Sequence, residues 1–295
     1  MKNRDQKLQQ IIDWAKQNPD VRTVLLTSSL INPLAPIDDF SDLDIELVFE
    51  DLEPYKRDDD WLSYFGNPIA KMNDNEQAFD GFNAIKMVLY DDFVKIDFKI
   101  YQKEKFIELT NQANLPYDWD IGYKILLDKD NLTIKLKQPT YTASLIKKPT
   151  KNEFEKLNQD FFWDVTYAVK SLARKDLFYA KFIIENILKT EYFVPMIEYY
   201  IGLENDWKVT TNKHGRLFEN YLSPTDWAKI KLTFAGNELQ ENWTSLEIMI
   251  QLFCEFSKKI ALHLNYNYPE KLAQDVSTYF ITIRNNTSPK SEDKL

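Results

Sequence analysis

The sequence predicts an α+β protein: a mixed sheet with helices in the first half, then an all-α helical bundle. Three observations carry this. Up to Asp130 the chain alternates apolar, β-branched runs with polar turns. From Lys151 onward Phe154, Leu157, Phe161 and Val165 recur at three- and four-residue spacing, the period of a helix. Between the two regimes stands Lys147-Lys148-Pro149-Thr150, with Glu153 three residues after Thr150 in a capping-box arrangement. The expected organisation is a first domain over 1–149, a helical domain over 150–285, and a polar tail over 286–295 that frays.

Taken in order, Asp5 to Asn18 reads as an amphipathic helix with Leu8, Ile11, Ile12 and Ala15 on one side. Pro19 and Asp20 stop it, and Val21 to Thr27 forms the first strand. A proline-marked polar loop leads to a second apolar run through Phe49, and Asp51 to Arg57 reads as a polar turn around Pro54. Asp58-Asp59-Asp60 precedes Trp61, Leu62 and Phe65, a short helix whose N-terminus favours acids. For that triplet, capping and solvated surface are preferred over a metal cluster. Ala84 to Tyr90 and Phe93 to Tyr101 form a hairpin about Asp91-Asp92, and Tyr123 to Leu127 gives a last strand. Helices are then expected near 177–188, 193–200, 217–221, 225–234, 239–264 and 269–284, with no internal repeat.

Composition narrows the function. A net charge of −9 is the wrong sign for displacing counterions from nucleic acid, so no nucleic-acid partner is expected. An acidic surface instead attracts metals and small or polyamine-like cations. Only six glycines occur, and neither G-x-G-x-x-G nor G-x-x-x-x-G-K-[ST] is present, so Rossmann and P-loop readings fail. Cys254 is the single cysteine, which excludes an internal disulfide and a cysteine-based zinc site. His214 and His263 are too few and too scattered for a triad. No membrane association is expected, because no apolar run approaches a bilayer span and the N-terminus lacks an apolar signal core. A cytoplasmic protein follows.

The chemistry-bearing stretch is Val24 to Phe49, where Asp42-x-Asp44 opens the second strand. Residues two apart on a strand share a face, so these carboxylates project together about 7 Å apart along the backbone. They repel unless a positive charge sits between them, and a hard divalent cation is the simplest such charge. Asp-x-Asp pairs are also common as solvated loop residues and caps; here the pair is tied to Ile45, Leu47, Val48 and Phe49 on a rigid element. Asp97 sits mid-strand with Lys95 and Lys99 on its own face. It is either part of a solvated Lys–Asp–Lys ladder or a third carboxylate beside Asp42 and Asp44, since the pattern does not fix which strands pair.

Thr27-Ser28-Ser29-x-x-Asn32, followed by Pro36, Asp39, Phe40 and Asp42-x-Asp44-Ile45, resembles the signature of the aminoglycoside 6-adenylyltransferases, streptomycin-modifying members of the polymerase β-like nucleotidyltransferase superfamily. Lys95-Ile96-Asp97-Phe98, Leu126-Leu127-Asp128-Lys129-Asp130, Lys148-Pro149-Thr150 and Phe162-Trp163 follow in the family's order. So do Val169-Lys170-x-Leu172-Ala173-Arg174-Lys175-Asp176 and Tyr221-Leu222-Ser223, and the resemblance spans nearly the whole chain. It implies transfer of AMP from ATP to a drug hydroxyl with release of pyrophosphate, assisted by Mg²⁺ held by Asp42, Asp44 and Asp97. Asp97 is then a metal ligand or the base that takes the hydroxyl proton. The Ser28-Ser29 turn holds the triphosphate, Lys170 and Arg174 are candidates for phosphate contact, and Asp176 for the cationic drug. The alternative for these last three is a salt-bridged surface.

Two departures stand in the phosphate turn. Where the family carries Gly-Ser-Arg this chain has Ser28, Ser29 and Leu30, so a positive φ at Ser28 comes at some strain and Leu30 offers no cation. Two other readings follow: a nucleotidyltransferase with a different small acceptor, or a homologue that binds without turnover.

Overall fold

The computed structural model describes residues 2–74 and 83–287. It divides into two compact units, Met1–Ser144 and Leu145–Leu295. Pro149, the boundary expected from sequence, lies in the second.

In the first unit, helix α1 (Lys2–Gln17) leads into β1 (Val21–Thr27), a three-residue 3-10 turn (Ser28–Leu30) and β2 (Leu43–Phe49). Helix α2 (Glu53–Arg57) takes the place of the polar turn expected around Pro54, with Pro54 in its first turn, where a missing N–H costs nothing. A second 3-10 segment (Asp60–Phe65) precedes β3 (Pro68–Asp74), β4 (Asn83–Tyr90) and β5 (Lys95–Gln102). Helices α3 (Lys103–Thr110) and α4 (Tyr117–Asp120) then lead to β6 (Tyr123–Asp128). The six strands form one mixed sheet in the order β3-β4-β5-β2-β1-β6. Every pairing is antiparallel except β2 with β5.

The expected β4–β5 hairpin is present. Strand β3 was not anticipated: Pro-Ile-Ala-Lys-Met-Asn-Asp has no clean apolar alternation, and it survives as an edge strand beside β4.

The two faces of this sheet differ. One is sealed by a continuous core in which Ile11 and Ala15 of α1 meet Val24, Leu26, Leu43, Ile45, Leu47, Ile96, Phe98 and Ile100. Trp14 stacks on Trp61 there, with ring centroids 5.5 Å apart, and this fixes α1 against the 3-10 segment. The other face is covered by a smaller cluster of Leu25, Val48, Tyr101, Phe106, Trp119 and Leu136. Its polar residues on β2 and β5 are Asp44, Glu46, Lys95, Asp97 and Lys99.

Asp58 and Asp60 are exposed, as expected of the aspartate triplet, but Asp59 departs from a capping or solvated role. Asp59 precedes the 3-10 segment but makes no capping bond. Instead it receives Lys86 Nζ at 2.8 Å, Lys71 Nζ at 3.0 Å and Asn73 Nδ2 at 2.9 Å. Lys86 is 1% exposed, so Asp59 is the counter-charge of a buried lysine. Burial alone would raise its pKa, but these three donors reverse the sign and hold Asp59 at about 2. Sequence could not expose this, because Lys86 belongs to β4 and reaches the triplet only once the sheet forms. Asp58, by contrast, accepts from the Asp60 N–H at 2.7 Å, a local turn role.

The second unit is helical. It comprises α5 (Lys151–Ala173), α6 (Leu177–Lys181), a π-wound segment (Phe182–Phe193), α7 (Val194–Glu204), a 3-10 turn (Lys213–Gly215), α8 (Phe218–Tyr221), α9 (Pro224–Lys231), α10 (Leu239–Leu264) and α11 (Glu270–Thr287). The predicted capping box at α5 is complete: Thr150 Oγ1 accepts from Glu153 N at 3.2 Å, while Thr150 N donates to Glu153 Oε2 at 2.7 Å. Phe161 and Phe253 stack at 3.6 Å between centroids and join α5 to α10. The gap expected near 189–192 is instead continuous helix. Lys189, which interrupts the apolar pattern, turns inward to Glu185 Oε2 at 2.5 Å and the Thr233 carbonyl at 3.0 Å. The expected tail overlaps α11 at Asn286 and Thr287, and residues 288–295 lie outside the described residues.

Candidate functional site

The parallel pairing of β2 with β5 sets Asp44 directly opposite Asp97, followed by Glu46 opposite Lys99 and Val48 opposite Tyr101. Facing residues of adjacent strands point to the same side, so Asp44 and Asp97 share one face. Asp42 stands one residue ahead of β2. Lys95 opens β5 and donates from Nζ to Asp42 Oδ2 at 2.8 Å and to Asp97 Oδ2 at 2.9 Å. Both sequence readings of Asp97 therefore describe part of the same arrangement. Asp97 is bonded to the lysine on its own strand, and it is also gathered with Asp42 and Asp44. Lys99, the second lysine of the expected ladder, pairs instead with Asp118 of α4.

The electrostatics follow from three carboxylates served chiefly by one ammonium. Asp44 is pushed up to about 6, first by burial and then by the Asp97 charge, against the Ser28 hydroxyl and Lys95. Asp97 Oδ1 is buried and has no hydrogen-bond partner. Burial favours the neutral amine of Lys95, yet its bonds to Asp42 and Asp97 hold its pKa above the ordinary value.

The loop that delivers Asp42 is tied to the first helix. Arg4 Nη1 donates to the carbonyls of Asp38 and Ser41, each at 3.0 Å, and Ser41 Oγ accepts from the Asp38 N–H at 3.0 Å. At the end of β1, Ser28 has φ +65, the left-handed conformation that glycine adopts freely and that the sequence expects to be strained here. Its hydroxyl lies near Asp44 and favours the ionised carboxylate. Its carbonyl accepts from Ile31 N at 3.1 Å and Asn32 N at 3.0 Å, closing the turn. Gly122, at φ +133, supports the turn from below: a Cβ there would stand 3.2 Å from the Ile31 carbonyl carbon. Ser29 is half-buried in the same turn, and Leu30 packs on the main sheet core.

Among the described residues, no group of three or more His, Cys, Asp or Glu side chains closes into a ready metal cage. Mg²⁺ does not need one, since it is commonly held by one or two carboxylates together with substrate phosphates. The donors present are hard oxygens, and one of them, Asp97 Oδ1, is buried without a partner. The residues fit a hard divalent cation.

Sequence reasoning missed Glu46. Burial pushes its carboxyl up to about 7, while Lys99 and the Trp119 indole N–H, 2.5 Å from Oε2, oppose the shift. The signal was the continued alternation Asp42, Asp44, Glu46 into an otherwise apolar strand.

In the second unit, Lys170 is exposed near the end of α5, with its Nζ 4.7 Å from the Tyr167 ring centroid. Arg174 caps the C-terminus of α5 and is exposed. Asp176 caps α6, accepting from Tyr179 N at 3.4 Å. A capping role therefore accounts for Asp176 locally.

The chain is 28% identical over 289 residues to an aminoglycoside 6-adenylyltransferase of Campylobacter jejuni, covering 96% of each chain. It is also 28% identical over 276 residues to the enzyme of that name from Bacillus subtilis (strain 168), covering 92% of this chain and 94% of the relative. The crystal structure of an aminoglycoside 6-adenyltransferase from Bacillus subtilis aligns with a TM-score of 0.46 at 26% identity, over 94% of this chain and 97% of that one. The curated relatives are transferases, and the chain is an enzyme of that class. A family model described as streptomycin adenylyltransferase matches residues 1–283, and the chain belongs to this family.

Proposed function

We propose that this protein transfers AMP from ATP to a hydroxyl of a streptomycin-like aminoglycoside and releases pyrophosphate. The observation that carries the reading is the β2–β5 register, with Asp44 opposite Asp97 and Asp42 bridged to Asp97 by Lys95. The names of the relatives support the acceptor class.

In the reaction, an acceptor hydroxyl oxygen forms a bond to the α-phosphorus, the bond from that phosphorus to the pyrophosphate oxygen breaks, and the hydroxyl proton leaves. Asp42, Asp44 and Asp97 would hold Mg²⁺, which when bound polarises the α-phosphate and neutralises charge on the leaving pyrophosphate. The unpartnered Asp97 Oδ1 suits either a hard cation or the departing proton. Asp44 must be ionised to act as a hard ligand, and its value of about 6 places it in that form at neutral pH. The nearby Ser28 hydroxyl favours the ionised form of Asp44, and the Ser28-Ser29 turn would meet the triphosphate through backbone N–H groups and a hydroxyl. Lys170 and Arg174 are candidates for phosphate contact, and Asp176 for the cationic acceptor.

The test is pyrophosphate release from ATP and Mg²⁺ across a panel of aminoglycosides, with the product identified by mass spectrometry. Adenylylated streptomycin is the expected product. Release with other acceptors alone transfers the reading to a different substrate, and absence of release with every acceptor overturns it.

A further inference from the structure

The proposed chemistry gives Lys95 no task. Its ammonium lies within hydrogen-bond distance of Asp42 Oδ2 and Asp97 Oδ2 at once, the position between carboxylates that a cation would take. The three side chains are part-exposed, at 37% for Lys95, 38% for Asp42 and 27% for Asp97, so ions can reach them from solvent. Lys86 differs: it is 1% exposed and held by a carbonyl as well as by Asp59.

We propose that Lys95 is a built-in counter-cation that a divalent metal must displace from Asp42 and Asp97. The inference rests on the reading of Asp42, Asp44 and Asp97 as the holders of Mg²⁺. In the metal-free protein the ammonium offsets part of the repulsion among the three carboxylates. A metal drawing on the same oxygens has to outcompete it. Apparent metal affinity is therefore reduced by the fraction of molecules in which the lysine is seated. The released ammonium then carries a free positive charge beside the carboxylates, suited to an anionic ligand such as a phosphate oxygen.

The test measures metal binding without nucleotide or turnover, using Mn²⁺ alone as the probe, by electron paramagnetic resonance titration of the full chain. Lys95→Met is expected to bind Mn²⁺ about 10-fold more tightly than the parent protein. It should also melt lower than the parent in chelator and gain more melting temperature on metal addition. Lys95→Arg, which keeps the charge, is expected to stay near the parent affinity. Equal or weaker Mn²⁺ binding by Lys95→Met overturns the proposal, as does a lack of Mn²⁺ binding by both proteins.

If Lys95→Met does not fold, the parent protein itself decides. With ¹⁵N-labelled lysine side chains and the Lys95 Nζ resonance assigned through Lys95→Arg, Mg²⁺ titration should shift that resonance along the metal-binding isotherm. A resonance that stays fixed while metal binds overturns the proposal. A protein that fails to adenylylate any aminoglycoside, yet binds Mn²⁺ more tightly as Lys95→Met, loses the functional reading and keeps this one.

Discussion

Two aspartate–lysine clusters sit on the same sheet and have opposite balances. At Asp59 one carboxylate faces Lys86, Lys71 and Asn73, and its pKa is held at about 2. At Asp42, Asp44 and Asp97 it is the carboxylates that outnumber the lysine: Asp44 rises to about 6 and one oxygen of Asp97 has no partner. The first cluster is saturated and so serves stability. The second retains a surplus of negative charge and hard oxygens, and that surplus is what a cation can use. Proximity of acids and lysines is common to both; the ratio of donors to acceptors separates them.

The largest expected effect breaks the comparison at the unsaturated cluster. Asp97→Asn should lower the rate of adenylyl transfer by about 100- to 1,000-fold with little loss of fold, the scale seen when one polar group is removed from a polarised site. Steady-state pyrophosphate release together with a thermal melt checks both halves. The reverse pattern is expected at the saturated cluster. Asp59→Asn leaves Lys86 buried without its counter-charge and should cost roughly 3 kcal/mol of stability while kcat stays near that of the parent, measured by urea unfolding and the same assay.

Of similar size but visible only against pH is Glu46. Its folded pKa is raised, so the folded state binds the proton more tightly. The stability this supplies is complete below about 4.5, the ordinary value, and is lost as pH rises through about 7. Glu46→Gln should therefore be more stable than the parent at pH 8, by about 3 kcal/mol at most, with the gap closing toward pH 4. Asp44 adds to the same slope between 3.8 and about 6, whereas Asp59 opposes it, its stabilisation being lost only as pH falls from 3.8 toward about 2. Urea titrations across this range separate the three.

The smallest expected effect sharpens the picture of the turn. Ser28→Gly relieves the cost of a left-handed residue but removes the hydroxyl that lowers the Asp44 pKa. The backbone contribution is about 1 kcal/mol in favour of glycine. Calorimetric melts should show a small gain in stability, with the acid limb of the pH–rate profile moved to higher pH.

Much of this was legible in the sequence. Helix α10 runs from Leu239 to Leu264, the bounds its apolar spacing predicts, and Thr150 and Glu153 mark the start of α5 as a capping box should. The strain at Ser28 follows from placing a serine at a left-handed turn position that favours glycine. What stayed hidden depends on contacts between distant segments. The β2–β5 pairing is parallel and non-local, so no turn signal announces it, and without it Asp97 has two equally good roles. Lys86 reads as an ordinary strand lysine until β4 lies beside the Asp59 segment. Edge strand β3 and the short helices α3 and α4 lack the period that would declare them.

The register of β2 on β5 has a further consequence. Sliding β5 by a single residue would turn Asp97 to the opposite side and bring Ile96 or Phe98 into its place, because neighbouring side chains on a strand alternate. The same slip would turn Lys95, Asp97 and Lys99 into the main core and expel Ile96, Phe98 and Ile100 from it, so packing rejects it. The apolar side chains that seal one face of the sheet thereby fix the phase that aligns the acids on the other.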